Sequence, residues 1–149
     1  MLRKLLLTTL FAGMTIALAP VVEAQTATVM AGDPTGPNVV FSFDGRNASG
    51  KAALRITTHR VGNPGARLSI WIDHSKTRLL TRILTEKDCK FAADGAGCTI
   101  TIPGDSKSFQ SFLAAFKRGR SAHVEIRNAA VMQMQTDISL TGFTRSLTD

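Results

Sequence analysis

The chain has 149 residues, a formal net charge of +7, three histidines, two cysteines, one tryptophan and no tyrosine. That length supports one domain with a real core. With so few aromatics between its basic residues, it lacks the interleaved pattern of single-strand nucleic-acid binders, so nucleic acid is not an expected partner.

The N-terminus is laid out as a secretory signal peptide. Arg3 and Lys4 precede an uncharged, mostly apolar run at 5–18, Pro20 breaks it, and Val22, Glu23 and Ala24 supply a small-x-small cleavage pattern. The run is shorter than the roughly 20 apolar residues of a membrane-spanning helix, so the mature chain is expected to carry no transmembrane anchor. Cleavage after Ala24 is expected, giving a mature chain that starts at Gln25 and is periplasmic or secreted. Ala17, Leu18 and Ala19 form a second small-x-small site, ranked lower because Pro20 follows directly. Without Arg3, Lys4 and Glu23, sixteen basic and ten acidic residues leave a charge of +6. The excess is spread along the chain. It reads first as a solvated basic surface, and more sharply as affinity for anionic envelope or host-surface components.

Residues 25–38 are small, polar and rich in turn formers, which predicts a flexible N-terminal segment. Residues 39–43 alternate as a strand, with Phe41 and Phe43 on one face. A turn cluster at 44–50 leads to a second strand at 53–58, and together they predict a β-hairpin with a long loop. A turn at 61–66 precedes a strand at 67–73. It carries Leu68, Ile70 and Ile72 on one face and Trp71 on the other. The segment 78–87 fits strand or helix; recurring β-branched residues and neighbouring strands favour strand.

Cys89 and Cys98 flank a glycine-rich turn. Their spacing fits no standard zinc pattern, and a thioredoxin-like site wants two intervening residues rather than eight. In an oxidising compartment they are expected to form a structural disulfide. A strand at 98–103 ends at Pro103 and Gly104. A helix follows over 106–118, with Phe109, Phe112, Leu113 and Phe116 at i, i+3, i+4 and i+7. Asp105 or Ser106 can cap its start, Lys117 and Arg118 suit its C-terminal end, and Gly119 terminates it. Two strands with a tight turn near Asn128 come next. Met132, Met134, Thr136, Ile138 and Leu140 share one face there. Phe143 and Leu147 are spaced for a single helical turn. The expected fold is therefore mainly β, a β-sandwich or curled antiparallel sheet with one amphipathic helix packed on it. It occupies residues 39–149 as a single domain.

No catalytic constellation is evident. His59, His74 and His123 are far apart in sequence and none sits in a metal-ligand pattern, so no metal or cofactor is expected. The cluster Asp73, His74 and Ser75 suggests a triad. Adjacent strand side chains point to opposite faces, so it reads more simply as a polar turn. P-loop, G-x-S-x-G and H-E-x-x-H motifs do not occur. Residues 47–49 match an N-glycosylation acceptor, meaningful only in a host that glycosylates there.

The order of motifs in the second half resembles the invasion-associated locus B family of small exported bacterial proteins. The matching residues are 68–73 ending in Asp73, Cys89, Gly97 with Cys98, 116–119 ending in Gly119, and Leu140, Gly142, Phe143 and Leu147. The resemblance covers 67–147. The chain would be a divergent member, because it lacks the family's early tryptophan and first cysteine pair. The resemblance implies a β-rich, non-enzymatic exported protein that binds a partner, linked in some members to host-cell entry, and it carries over no catalytic residues. The competing expectation is a small periplasmic hydrolase with a His/Asp site assembled by the fold. A structural adaptor or inhibitor module is a third.

Overall fold

A computed structural model describes residues 26–45, 52–92, 95–129 and 131–147. The expected signal peptide and the glycosylation acceptor at 47–49 lie outside the described residues. Among the described residues, nine strands form two antiparallel sheets. The first contains β1 (Thr26–Gly32), β2 (Asn38–Asp44), β3 (Ala53–His59), β6 (Cys89–Ala92) and β7 (Gly95–Pro103), in the order β1-β2-β3-β7-β6. The second contains β4 (Arg67–Ile72), β5 (Arg78–Ile83), β8 (Ser121–Asn128) and β9 (Val131–Ser139), in the order β5-β4-β8-β9. The mainly-β expectation holds, with two sheets enclosing one core.

The period-2 pattern of each strand decides which side chains go inside. Phe41, Phe43, Leu54, Ile56, Ile100 and Ile102 point inward from the first sheet, and Leu68, Ile70, Val124 and Ile126 from the second; all are buried. The helix α1 (Lys107–Arg118) carries the chain from β7 in one sheet to β8 in the other. Its stripe of Phe109, Phe112 and Phe116 is buried. Phe116 stands at the centre of an aromatic cluster, with ring centroids 5.4 Å from Phe41, 5.2 Å from Phe43 and 5.4 Å from Phe143. Full burial of a phenylalanine contributes about 1.5–3 kcal/mol, so these rings tie α1 to β2 and to the C-terminal turn. Ser106 caps the helix, its Oγ accepting the Phe109 N–H at 3.1 Å. Gly119 ends it in extended rather than left-handed backbone. What requires glycine there is space: a Cβ would sit 2.4 Å from Cγ2 of Ile72.

The chain then closes through Leu140, buried, and Gly142, whose φ of 85° opens the short helix α2 (Phe143–Ser146). Phe143 and Leu147 are both buried, as the one-turn spacing predicts.

Three expectations need correction. The segment 25–38 is not simply a flexible lead-in, because 26–32 form β1. Ala27 and Ala31 are small enough to pack inward against β2, with registers Ala27↔Phe43 and Ala31↔Val39. The strand expected over 78–87 stops at Ile83. Leu84 turns into the core, exchanging hydrogen bonds with the 65–66 turn (Leu84 N–H to Ala66 O, Gly65 N–H to Leu84 O, both 2.8 Å). The glycine-rich segment before Cys98 is partly strand: β7 begins at Gly95, because pairing with β3 on one side and β6 on the other overrides the low strand propensity of glycine. Cys89 and Cys98 sit directly opposite in that hairpin and are disulfide-bonded.

Candidate functional site

Register assembles a surface that sequence spacing conceals. On the outer face of the five-stranded sheet, Asn38, His59, Gly97 and Lys90 fall in one row across β2, β3, β7 and β6. The next row brings Met30, Val40, Thr57 and Thr99 side by side. These residues floor a groove of about 790 Å³. One wall is the turn after β1, with Pro34, Thr35 and Gly36, together with Arg60; the other is Lys87, Asp88 and Lys90.

Both walls are held by short-range hydrogen bonds. Oδ1 of Asp33 accepts from the Thr35 N–H at 2.8 Å and the Thr35 hydroxyl at 2.9 Å. These bonds, the Thr35 N–H foremost, hold the Asp33 carboxyl below the ordinary carboxylate value. The Asn38 amide nitrogen donates to the carbonyls of Asp33 at 2.9 Å and Gly36 at 3.2 Å. Those carbonyls fix the orientation of the amide, since its oxygen could not take their place. Asn38 Oδ1 is buried and without a donor. The Arg60 guanidinium donates to the Thr35 carbonyl, and Arg60 itself has left-handed backbone at φ 56°. On the opposite wall, Asp88 Oδ2 accepts from the Thr85 N–H at 2.9 Å and the Thr85 hydroxyl at 2.8 Å, and Oδ1 meets Arg82 at 2.8 Å. Burial pushes the Asp88 carboxyl up. Thr85 and Arg82 together outweigh it, so it lies below the usual range.

The charge balance is positive, with Asp33 offsetting Arg60 only in part. Asp88, the carboxylate lining the groove, is committed to Arg82 and Thr85, while Arg60, Lys87 and Lys90 are exposed around the rim. Concave cationic surfaces concentrate anions. The hairpin that carries Lys90 is fastened at its base by the disulfide, and Phe91 beside it is 76% exposed.

The three histidines are not brought together. His59 lies on the groove floor, and His74 is exposed in the turn after β4. His123 lies on the outer face of the second sheet, its ring centroid 4.1 Å from Trp71. There Nδ1 of His123 contacts Oδ1 of Asp137, Nε2 is 3.4 Å from the Gln135 amide nitrogen, and Arg78 lies over Trp71 at 5.8 Å. A His–carboxylate pair is half of a hydrolytic site, and the other half is a nucleophile within reach of the free ring nitrogen. The polar group facing that ring nitrogen is the Gln135 amide. Ser69, on the same face and with an unpartnered Oγ, is sealed from solvent.

Asp73 is architectural. Its Oδ1 accepts the N–H groups of Arg120 and Ser121, each at 2.9 Å, and these bonds, Ser121 first, lower its pKa. It thereby fastens the end of β4 to the start of β8, and does not pair with His74 as a triad would require. Gly119, Leu140, Gly142 and Phe143 likewise serve packing and chain direction. Gly97 alone among the motif residues lines the groove, where a Cβ would meet the Thr58 carbonyl at 2.8 Å. Among the described residues no three His, Cys, Asp or Glu side chains converge as a metal site, and no helix is long and apolar enough to cross a membrane.

Arg60, Lys87, Lys90, Thr57, Thr99 and Asn38 were not legible as a site from sequence. The one available signal was that Thr57 and Thr99 occupy outward positions of their strands. The chain matches no protein-family model, no curated protein and no solved structure.

Proposed function

We propose that this is an exported, non-enzymatic envelope protein of the invasion-associated locus B type, which holds an anionic partner in the groove of its five-stranded sheet. The observation that carries the reading is the groove itself, with three exposed cations around a polar floor and its carboxylate already neutralised. Export is supported by the N-terminal pattern and by the disulfide, a bond that persists in oxidising compartments. The family reading rests on the motif order in 67–147. The buried positions of Leu140, Phe143 and Leu147 fit a motif that specifies a scaffold rather than a reaction.

A photo-crosslinking residue placed at Pro34 on the groove wall, and separately at Thr81 on the other sheet, tests this in intact cells. The proposal expects processed protein starting at Gln25 in the periplasm or medium, with adducts from position 34 and none from position 81. Unprocessed protein retained in the cytoplasm, or adducts from position 81 alone, would overturn it.

A hydrolase remains the second reading because His123 and Asp137 do pair. Its requirement is specific: His123→Gln must abolish an activity while leaving the melting temperature unchanged.

A further inference from the structure

We infer that the groove accepts an acidic glycan, a chain of sugar rings bearing carboxylate or sulfate groups. The inference rests on the groove being the working surface and names the chemistry of its occupant.

The rim selects for negative charge through Arg60, Lys87 and Lys90. The floor selects for something an anion alone does not provide. The Thr57 and Thr99 hydroxyls are 3.5 Å apart, at the outer limit of a hydrogen bond, so each retains donor and acceptor capacity for a ligand. Carboxylate, sulfate and phosphate oxygens only accept. Hydroxyls both donate and accept, and a sugar presents several per ring. Met30 and Val40, beside the threonines, offer an apolar strip for the C–H face of a ring.

The same floor disfavours two other anionic partners. Single-strand nucleic-acid binders stack bases on aromatic side chains, and no Phe or Trp lines this groove. An acidic peptide bound in extended form satisfies its backbone at a sheet edge. This groove lies on a sheet face, where β2 and β3 are paired along their length on both sides and β7 is paired with β3 over 97–103 and with β6 over 95–98. A peptide lying there would leave its amides to water, whereas a glycan has no such ladder to complete. The row from Asn38 to Lys90 spans three interstrand spacings, about 14 Å, the length of a short oligosaccharide.

The test compares two labelled probes of equal charge, hexagalacturonate and hexaglutamate, titrated into the protein at physiological salt. Hexagalacturonate is expected to bind at least about tenfold more tightly, the scale of one or two added hydrogen bonds. Thr57→Val with Thr99→Val keeps strand-favouring shape and removes both hydroxyls. It should weaken hexagalacturonate about tenfold and leave hexaglutamate unchanged. Lys87→Glu with Lys90→Glu should weaken both probes. Equal or tighter binding of hexaglutamate would overturn the glycan assignment while leaving an anion-binding groove. Failure of both probes to bind, or binding indifferent to the charge reversal, would overturn the groove reading as well. The probe comparison on the unaltered protein needs no variant to fold.

Discussion

Phe116→Ala removes the ring on which the helix, β2 and the C-terminal turn converge. Phe116 is fully buried, and four rings lie around it: Phe43 at 5.2 Å, Phe41 and Phe143 at 5.4 Å, and Phe112 at 6.1 Å. Truncating a core phenylalanine to alanine costs about 3–5 kcal/mol, including the cavity left behind. Tilted aromatic pairs contribute about 0.5–1.5 kcal/mol beyond their buried area. With four ring neighbours the loss belongs near the top of the first range. A domain of this size has about 5–15 kcal/mol in total. Urea denaturation is the assay. With a slope of about 2 kcal/mol per molar, the midpoint should fall by about 2 M with the slope itself unchanged. Phe91→Ala is the internal comparison: its ring is 76% exposed, and its loss should move stability by about 0.5 kcal/mol or less. Equal, small shifts for both variants would refute the reasoning, because they would mean that the phenylalanine face of α1 is not part of the core.

Replacing Cys89 and Cys98 with serine should lower stability by about 2.7 kcal/mol on the chain-entropy account of a loop of about ten residues, while the native protein should resist a thiol-reactive label until reduced and unfolded. Asp73 has a lowered pKa in the folded state, so its contribution is fully present above the unfolded carboxylate value of about 3.9 and is lost as pH falls through the folded value. Melting curves from pH 7 down to pH 2 should therefore fall less steeply below about pH 4 in Asp73→Asn than in the parent. Asparagine is the right replacement because it tolerates the left-handed backbone at φ 51°. An unchanged pH profile would mean that the bonds to Arg120 and Ser121 carry no weight.

The strands were legible wherever apolar residues alternate with polar ones. Val39, Phe41 and Phe43, or Leu68 and Ile70, reveal their face by alternation alone, and the Phe109–Phe112–Phe116 spacing reveals a helix. The short strands with small residues were not legible. β1 packs Ala27 and Ala31 inward, and alanine in a turn-rich context carries no periodic signal. β6 and the start of β7 were hidden in the disulfide loop, where strand formation follows from pairing rather than composition. The site failed for a different reason. Arg60, Lys87 and Lys90 look like scattered charge along the chain. They become one rim only because β3 pairs with β7 and β7 with β6, bringing His59 opposite Gly97 and Gly97 opposite Lys90. Asp73 and Gly119 were visible as motif residues, but their work, a backbone anchor and a close approach to Ile72, depends on tertiary neighbours.

Amide chemical-shift mapping of the isotope-labelled protein tests the central claim most directly, with hexagalacturonate and hexaglutamate titrated separately. An anion-binding groove predicts shifts that cluster at Thr35, Asn38, Thr57, His59, Arg60, Lys90, Gly97 and Thr99, and that need higher probe concentrations in the Lys87→Glu, Lys90→Glu variant. Shifts centred instead on Trp71, His123 and Asp137 of the other sheet, or none with either probe, would contradict it.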